Sequence, residues 1–250
     1  MEVVPGIGGL RPAHGPVFAV IGVFDGLHLG HAYLLRHLVK EAAAREAQPT
    51  VITFDHHPDE VLTGSAPPLL LHPDERLERL RSAGVAVTVI QPFDETVRHT
   101  PYDAFIEGIR SRTPLAGFLM TPDAAFGFER RGTPTTVADL GARDGFDVVV
   151  VAPFTLDGEP VRSTEIRAAI AGGDLRRAAR LAGRPLTLRG TLDAGVMSFD
   201  WPMALPPDGA YEVEVGGRAA RLTCVGPVTR LIGEDLPEGP VELTLGGSAA

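Results

Sequence analysis

Short runs of apolar residues alternate along this chain with longer stretches whose apolar positions recur every three or four residues. The runs at 17–24, 50–54, 85–90, 115–120 and 147–152 predict buried strands. The stretches at 31–45, 73–82, 101–111, 136–143, 164–171 and 174–181 predict amphipathic helices. Such alternation predicts an α/β fold, a doubly wound parallel sheet whose ligands bind beyond the carboxyl ends of the strands, where strand order reverses. From residue 185 the texture changes to short alternating segments, "YEVEV", "RAARLTCV" and "VELTL", broken by Gly and Pro. They predict a small C-terminal β domain, a partial barrel or meander. The expected domains are 1–184 and 185–250.

Composition narrows the function classes. A net charge of −9 argues against nucleic acid as a partner. No apolar run reaches the roughly 18 residues that span a bilayer, and "MEVVPGIGG" is not a signal peptide. The single Cys224 excludes an internal disulfide framework and a cysteine zinc cluster. A cytoplasmic protein acting on small molecules is expected.

The stretch "GVFDGLHLGH", residues 22–31, joins the first strand to the first helix. His28 and His31, three apart, share one face at a helix N-terminus, where free N–H groups and the positive dipole end favour an anion. Glycines there let a phosphate approach the backbone, yet the spacing is neither the P-loop nor the dinucleotide G-x-G-x-x-G. A phosphate site with imidazoles in place of lysine is the sharp reading. Two others stay open: a metal shared with His56, His57 or His72, and a plain helix cap in a tight glycine turn. In "RSTEIR", Ser163 or Thr164 suits the N-cap of the next helix, and Arg167 follows one turn later, within reach of phosphate oxygens.

These segments resemble the H-x-G-H nucleotidylyltransferase superfamily, in the version of the bacterial FAD synthetases (bifunctional riboflavin kinase/FMN adenylyltransferases). "TFDHHPDEVL", "LLHPDERLERLRSAGV", "MTPDAAFGFERRGT" and "VRSTEIRAAIAGGDLRRAARLAGRP" follow in the family's order. The resemblance implies a Rossmann-like sheet of the nucleotidylyltransferase type over 1–184. It implies transfer of AMP from ATP to the phosphate of FMN, giving FAD and pyrophosphate, with Mg²⁺ bridging phosphate oxygens rather than held by protein ligands. By resemblance His28, His31 and Arg167 are catalytic. Gly22, Phe24, Gly26, Gly30, Ser163 and Thr164 fall on the nucleotide side; His57, Pro58, Asp123, Phe126 and Phe128 fall on the acceptor side.

The pattern departs from the family at Thr121, Pro122 and Ala124 in the acceptor loop, at His56 where the family has proline, and at Arg162 in place of a serine. A nucleotidylyltransferase of specialised metabolism with another phosphorylated acceptor is therefore a second expectation. A non-catalytic nucleotide- or flavin-binding protein is a third. The C-terminal segment looks like a truncated remnant of the family's riboflavin-kinase barrel. Its interval "VMSFDWPMALPPDG" contains no Thr-x-Asn pair, and Glu212, Glu214, Glu234, Asp235, Glu238 and Glu242 come without metal-binding partners. It is read as a structural cap that covers the sheet's edge or supports a homodimer contact.

Overall fold

Six strands make the main sheet: β1 (Glu2–Pro5), β2 (Val17–Ile21), β3 (Gln48–Phe54), β4 (Val87–Gln91), β5 (Leu115–Met120) and β6 (Asp147–Val150). They are all parallel, in the order β1-β4-β3-β2-β5-β6. This computed structural model describes residues 1–246, so the last four residues of the expected C-terminal domain lie outside the described part. The helices are α1 (Leu29–Ala43), α2 (Pro58–Thr63), α3 (Pro73–Ser82), α4 (Glu95–Arg98), α5 (Tyr102–Arg110), α6 (Pro134–Asp144), α7 (Ser163–Ala171) and α8 (Leu175–Ala182).

By compactness the chain forms two units: Met1–Phe24, His31–Pro67 and Leu77–Phe154 make one, and Asp25–Gly30, Pro68–Arg76 and Thr155–Ala250 the other. The first holds the sheet. Its central strand β2 is buried along almost its whole length, which is why it reads as an unbroken apolar run. Alternate strand residues go to opposite faces. Val17, Ala19, Ile52, Val87, Val89, Phe118 and Met120 pack with Phe105, Ile106 and Ile109 of α5 and Val137 and Leu140 of α6. Phe18 faces the other way, under the guanidinium of Arg45 at 4.8 Å, just beyond α1. Strand order reverses between β2 and β5, which pair directly.

Several boundaries differ from expectation. The first strand stops at Ile21, not at residue 24, because Phe24 turns into the left-handed region at φ 53°. The third begins at Val87, since the Val85 N–H is taken by the Leu80 carbonyl at the end of α3. The first helix starts at Leu29, so His28 precedes it and His31 is its third residue. Strand β1 went unpredicted; it is four residues long and ends in proline at the sheet edge.

In the second unit a short hairpin, β7 (Thr155–Leu156) with β8 (Glu159–Pro160), precedes α7 and α8. Strands β9 (Leu186–Asp193), β10 (Val196–Ser198), β11 (Gly209–Val215), β12 (Arg218–Val225), β13 (Val228–Ile232) and β14 (Gly239–Leu245) follow. They form a closed barrel, order β10-β13-β12-β11-β14-β9, not the partial barrel or meander expected. Closure works because the eight-residue β9 pairs β10 at one end and β14 along all but its last residue. Inward positions Leu188, Val213, Val215, Leu222, Cys224, Leu231 and Leu243 fill the interior, each buried between exposed or half-buried neighbours on its strand.

Candidate active site

The chain leaves β2 through a strained turn. Gly22 donates its N–H to the Ile52 carbonyl at 3.0 Å, and Thr53 Oγ1 donates to the Val23 carbonyl at 2.9 Å, both from β3. Phe24 and Leu27 then both have positive φ, 53° and 36°, and both are buried. Such non-glycine positions cost about 1–3 kcal/mol each and persist only where their surroundings enforce them. Phe24 also meets the imidazole of His31, ring centroids 5.1 Å apart, so it acts on the histidine's orientation.

The enforcement in the second unit centres on Asp25, buried at 4% exposure. Its carboxylate accepts the Leu70 N–H at 3.0 Å and pairs with Nη2 of Arg167. Its carbonyl accepts Ser163 Oγ at 2.8 Å. Arg167 Nε donates to the Pro68 carbonyl at 2.8 Å, while its Nη1 makes no hydrogen bond to a described residue. Arg184 Nη2 donates to the Gly26 carbonyl at 2.7 Å. Gly26 has φ 85°, and a Cβ there would meet Leu70 at 2.8 Å. At Gly30 a Cβ would lie 2.9 Å from the Val161 carbonyl and 3.2 Å from the His28 ring. Only glycine fits at either position.

Two expectations change here. Neither Ser163 nor Thr164 caps α7: the N-cap is Arg162, without a side-chain cap bond. Ser163 spends its proton on the Asp25 carbonyl, and Thr164 lies exposed on the first turn. Asp25 and Arg184 were missed. An aspartate inside a glycine-rich turn reads as a turn former, and only its burial shows otherwise.

His28 is buried, and its pKa is held down from 6.5 to about 4 by desolvation and by the charges of Arg184 and Arg167. It is therefore a neutral imidazole at pH 7, a hydrogen-bond partner rather than a cation. The unfolded chain binds the His28 proton more readily than the folded one between pH 6.5 and 4. The folded state should thus lose up to about 3 kcal/mol across that window as pH falls. Denaturant unfolding of wild type and His28→Gln at pH 7 and 4.5 checks this: the wild type should lose more stability than the variant, and equal losses would contradict it.

In the first unit, His57 is the N-cap of α2, its Nδ1 accepting the Asp59 N–H at 3.2 Å, with Pro58 at the first helical position. Asp123 accepts Thr121 Oγ1 at 2.8 Å in the loop after β5. Phe126 belongs to the core, 6.0 Å from both Phe105 and Phe118, whereas Phe128 lies 5.4 Å from His99. Among the described residues no three His, Cys, Asp or Glu side chains gather as metal ligands.

Residues 11–165 match the profile of the FAD synthetase family. This chain belongs to the FAD synthetase family. The bifunctional riboflavin kinase/FMN adenylyltransferase of Haemophilus influenzae is 34% identical over 177 residues, 70% of this chain and 58% of that protein. Its counterpart in Escherichia coli K12 is 31% identical over 232 residues, 87% of this chain and 74% of that one. The chain thus spans under two thirds of the first relative. Among solved structures, a Streptococcus pneumoniae chain titled a macrolide-efflux protein superposes with a TM-score of 0.83 at 22% identity, covering 100% of this chain and 91% of its own. That likeness concerns fold alone. No helix among the described residues is long and apolar enough to cross a membrane.

Proposed function

We propose that this chain transfers AMP from ATP to the phosphate of FMN, giving FAD and pyrophosphate. The observation that carries the reading is the knot that Ser163, Arg167 and Arg184 tie on Asp25 and Gly26, just before the family's H-x-G-H in the chain. A phosphate oxygen of FMN, already an anion, attacks the α-phosphorus of ATP; the new P–O bond forms as the bond to pyrophosphate breaks. No general base is needed, so catalysis rests on alignment and on meeting charge at the α-phosphate and leaving group.

In this reading Arg167 offers Nη1 to phosphate while Asp25 and Pro68 hold its other nitrogens. His28 donates as a neutral imidazole, and His31 donates from the first turn of α1. Gly22, Phe24, Gly26 and Gly30 shape the turn; Ser163 and Thr164 open α7 toward nucleotide. His57, Pro58, Asp123, Phe126 and Phe128 serve the acceptor. The one carboxylate in the turn, Asp25, is engaged by Arg167 and the Leu70 N–H; the remaining groups are imidazoles, guanidiniums and amides, which suit phosphate rather than a bare cation. Mg²⁺ would be held by the oxygens of ATP, where it supplies charge neutralisation. EDTA should abolish turnover and Mg²⁺ restore it, while circular dichroism shows the chain still folded; turnover surviving EDTA would contradict this.

We read residues 1–184 as the nucleotidylyltransferase domain, working in the cytoplasm on small molecules and not on nucleic acid. Residues 185–250 are read as a barrel without riboflavin kinase activity. In the barrel Glu242 pairs with Arg189, Glu212 with Arg221, and Glu238 accepts the Ala194 N–H, so these carboxylates are already engaged. Offered ATP, Mg²⁺ and riboflavin, the chain should form no FMN on chromatography; catalytic FMN formation would overturn this.

A second acceptor is favoured by one observation. Thr121, a departure from the family, places its hydroxyl on the Asp123 carboxylate, and so alters what that acid offers an acceptor. Pyrophosphate release with ATP across a panel of phosphomonoesters separates the readings. FMN as the best acceptor supports the first, another phosphomonoester the second, and no release with any acceptor would leave a binding protein.

A further inference from the structure

Residues 68–70 touch three things in consecutive positions. The Pro68 carbonyl accepts Arg167 Nε at 2.8 Å. Leu69 pairs in parallel with Met203, in the connection between β10 and β11: its N–H donates to the Pro202 carbonyl at 2.7 Å, and its carbonyl accepts the Ala204 N–H at 2.8 Å. The Leu70 N–H reaches the Asp25 carboxylate at 3.0 Å. A second tie lies a few residues on. Glu75, buried at 3% exposure, takes Thr187 Oγ1 of β9 on both carboxylate oxygens, at 2.8 and 2.9 Å. Leu70, Leu71, Met203 and Ala204 are all buried.

We propose that residues 68–70 are a strap through which the C-terminal barrel sets the positions of Arg167 and Asp25. Met203 and Ala204, which meet the strap at Leu69, and Thr187, which holds Glu75 five residues beyond it, are then positioning residues for nucleotide binding that never touch ATP. This rests on the reading above that Arg167 meets ATP phosphates. The coupling runs through shared backbone. Two peptide bonds separate the carbonyl that fixes Arg167 Nε from the N–H that fixes the Asp25 carboxylate. The residue between them is clamped by the barrel on both its N–H and its carbonyl. A hydrogen bond of this kind contributes up to about 1.4 kcal/mol, so loosening it permits up to about a tenfold weakening at the group it positions. The connection of residues 199–208 thus has a use of its own beside the nucleotide turn.

The chain's only tryptophan, Trp201, adjoins Pro202 and is a native probe of this coupling. The full-length protein is titrated with ATP–Mg²⁺, following tryptophan emission and, in parallel, heat by calorimetry. The strap predicts an emission change with the calorimetric midpoint. Ala204→Pro deletes the N–H that meets the Leu69 carbonyl and should raise the ATP dissociation constant and KM about tenfold, with a smaller change in kcat. Thr187→Val, the milder variant, should raise them a few-fold, and Thr187→Ser, which keeps the hydroxyl, should restore them. ATP binding by calorimetry with silent Trp201 emission, and unchanged constants in Thr187→Val, would overturn the strap. Absence of ATP binding by the wild type would instead overturn the reading of Arg167, and the strap with it.

Discussion

His31→Ala is expected to slow adenylyl transfer by about 100- to 1,000-fold while changing ATP affinity far less. His31 is the third residue of α1, half-buried, with its ring set against Phe24. A donor held this way needs no reorganisation when charge gathers on the α-phosphate and the leaving group. Its loss is therefore felt in the transition state more than in the ground state. Phe24→Leu should give a smaller loss of the same kind, because the imidazole would remain but lose its orienting ring. Steady-state kinetics on folded variants decide the matter; near wild-type turnover in His31→Ala would remove this residue from the mechanism.

Asp25→Ala is expected to destabilise the chain by about 3 kcal/mol or more, among the largest effects available to a single substitution here. It would leave the Arg167 guanidinium, 14% exposed, without its anionic partner, and would strip the Leu70 N–H of its acceptor. The positive φ at Phe24 and Leu27 would lose part of what enforces it. Asp25→Asn keeps the shape and an acceptor oxygen, and should recover part of the loss in stability but not the placement of Arg167. Urea unfolding measures the first effect and the KM for ATP the second. A stability change under about 0.5 kcal/mol in Asp25→Ala would contradict the role given to this carboxylate, since surface substitutions fall in that range.

Much of this was legible because burial on both faces writes itself as apolar runs. Strands β2, β3, β4, β5 and β6 and helices α1, α3, α5, α6, α7 and α8 correspond to predicted segments, with ends shifted by a few residues. The shifts have local causes: Phe24 leaves the strand through a left-handed backbone, and Val85 closes a helix end. Strand β1 was invisible because one buried residue, Val4, leaves no period to detect. Closure of the barrel depends on pairing between β9 and β14, about fifty residues apart, and no local pattern encodes it.

The candidate site divides in the same way. Histidines among glycines suggest a phosphate site, and Arg167 one turn after Ser163 suggests the same chemistry; the structure brings Ser163 and Arg167 together on Asp25. Asp25 stayed hidden because its partners, Leu70, Ser163 and Arg167, come from segments far along the chain. The strap at 68–70 is hidden more deeply, since it works through main-chain atoms that any residue carries. Phe126 shows the converse: its motif suggests a flavin wall, and its contacts with Phe105 and Phe118 add a packing duty.

The most direct test of adenylyl transfer follows a labelled phosphate. The chain is incubated with Mg²⁺, FMN and ATP labelled at the α-phosphate, and the products are separated by chromatography. The label is expected to appear in FAD, with one pyrophosphate released for each FAD formed and none without FMN. Label remaining in ATP, or leaving as free AMP with no FAD formed, would contradict the account.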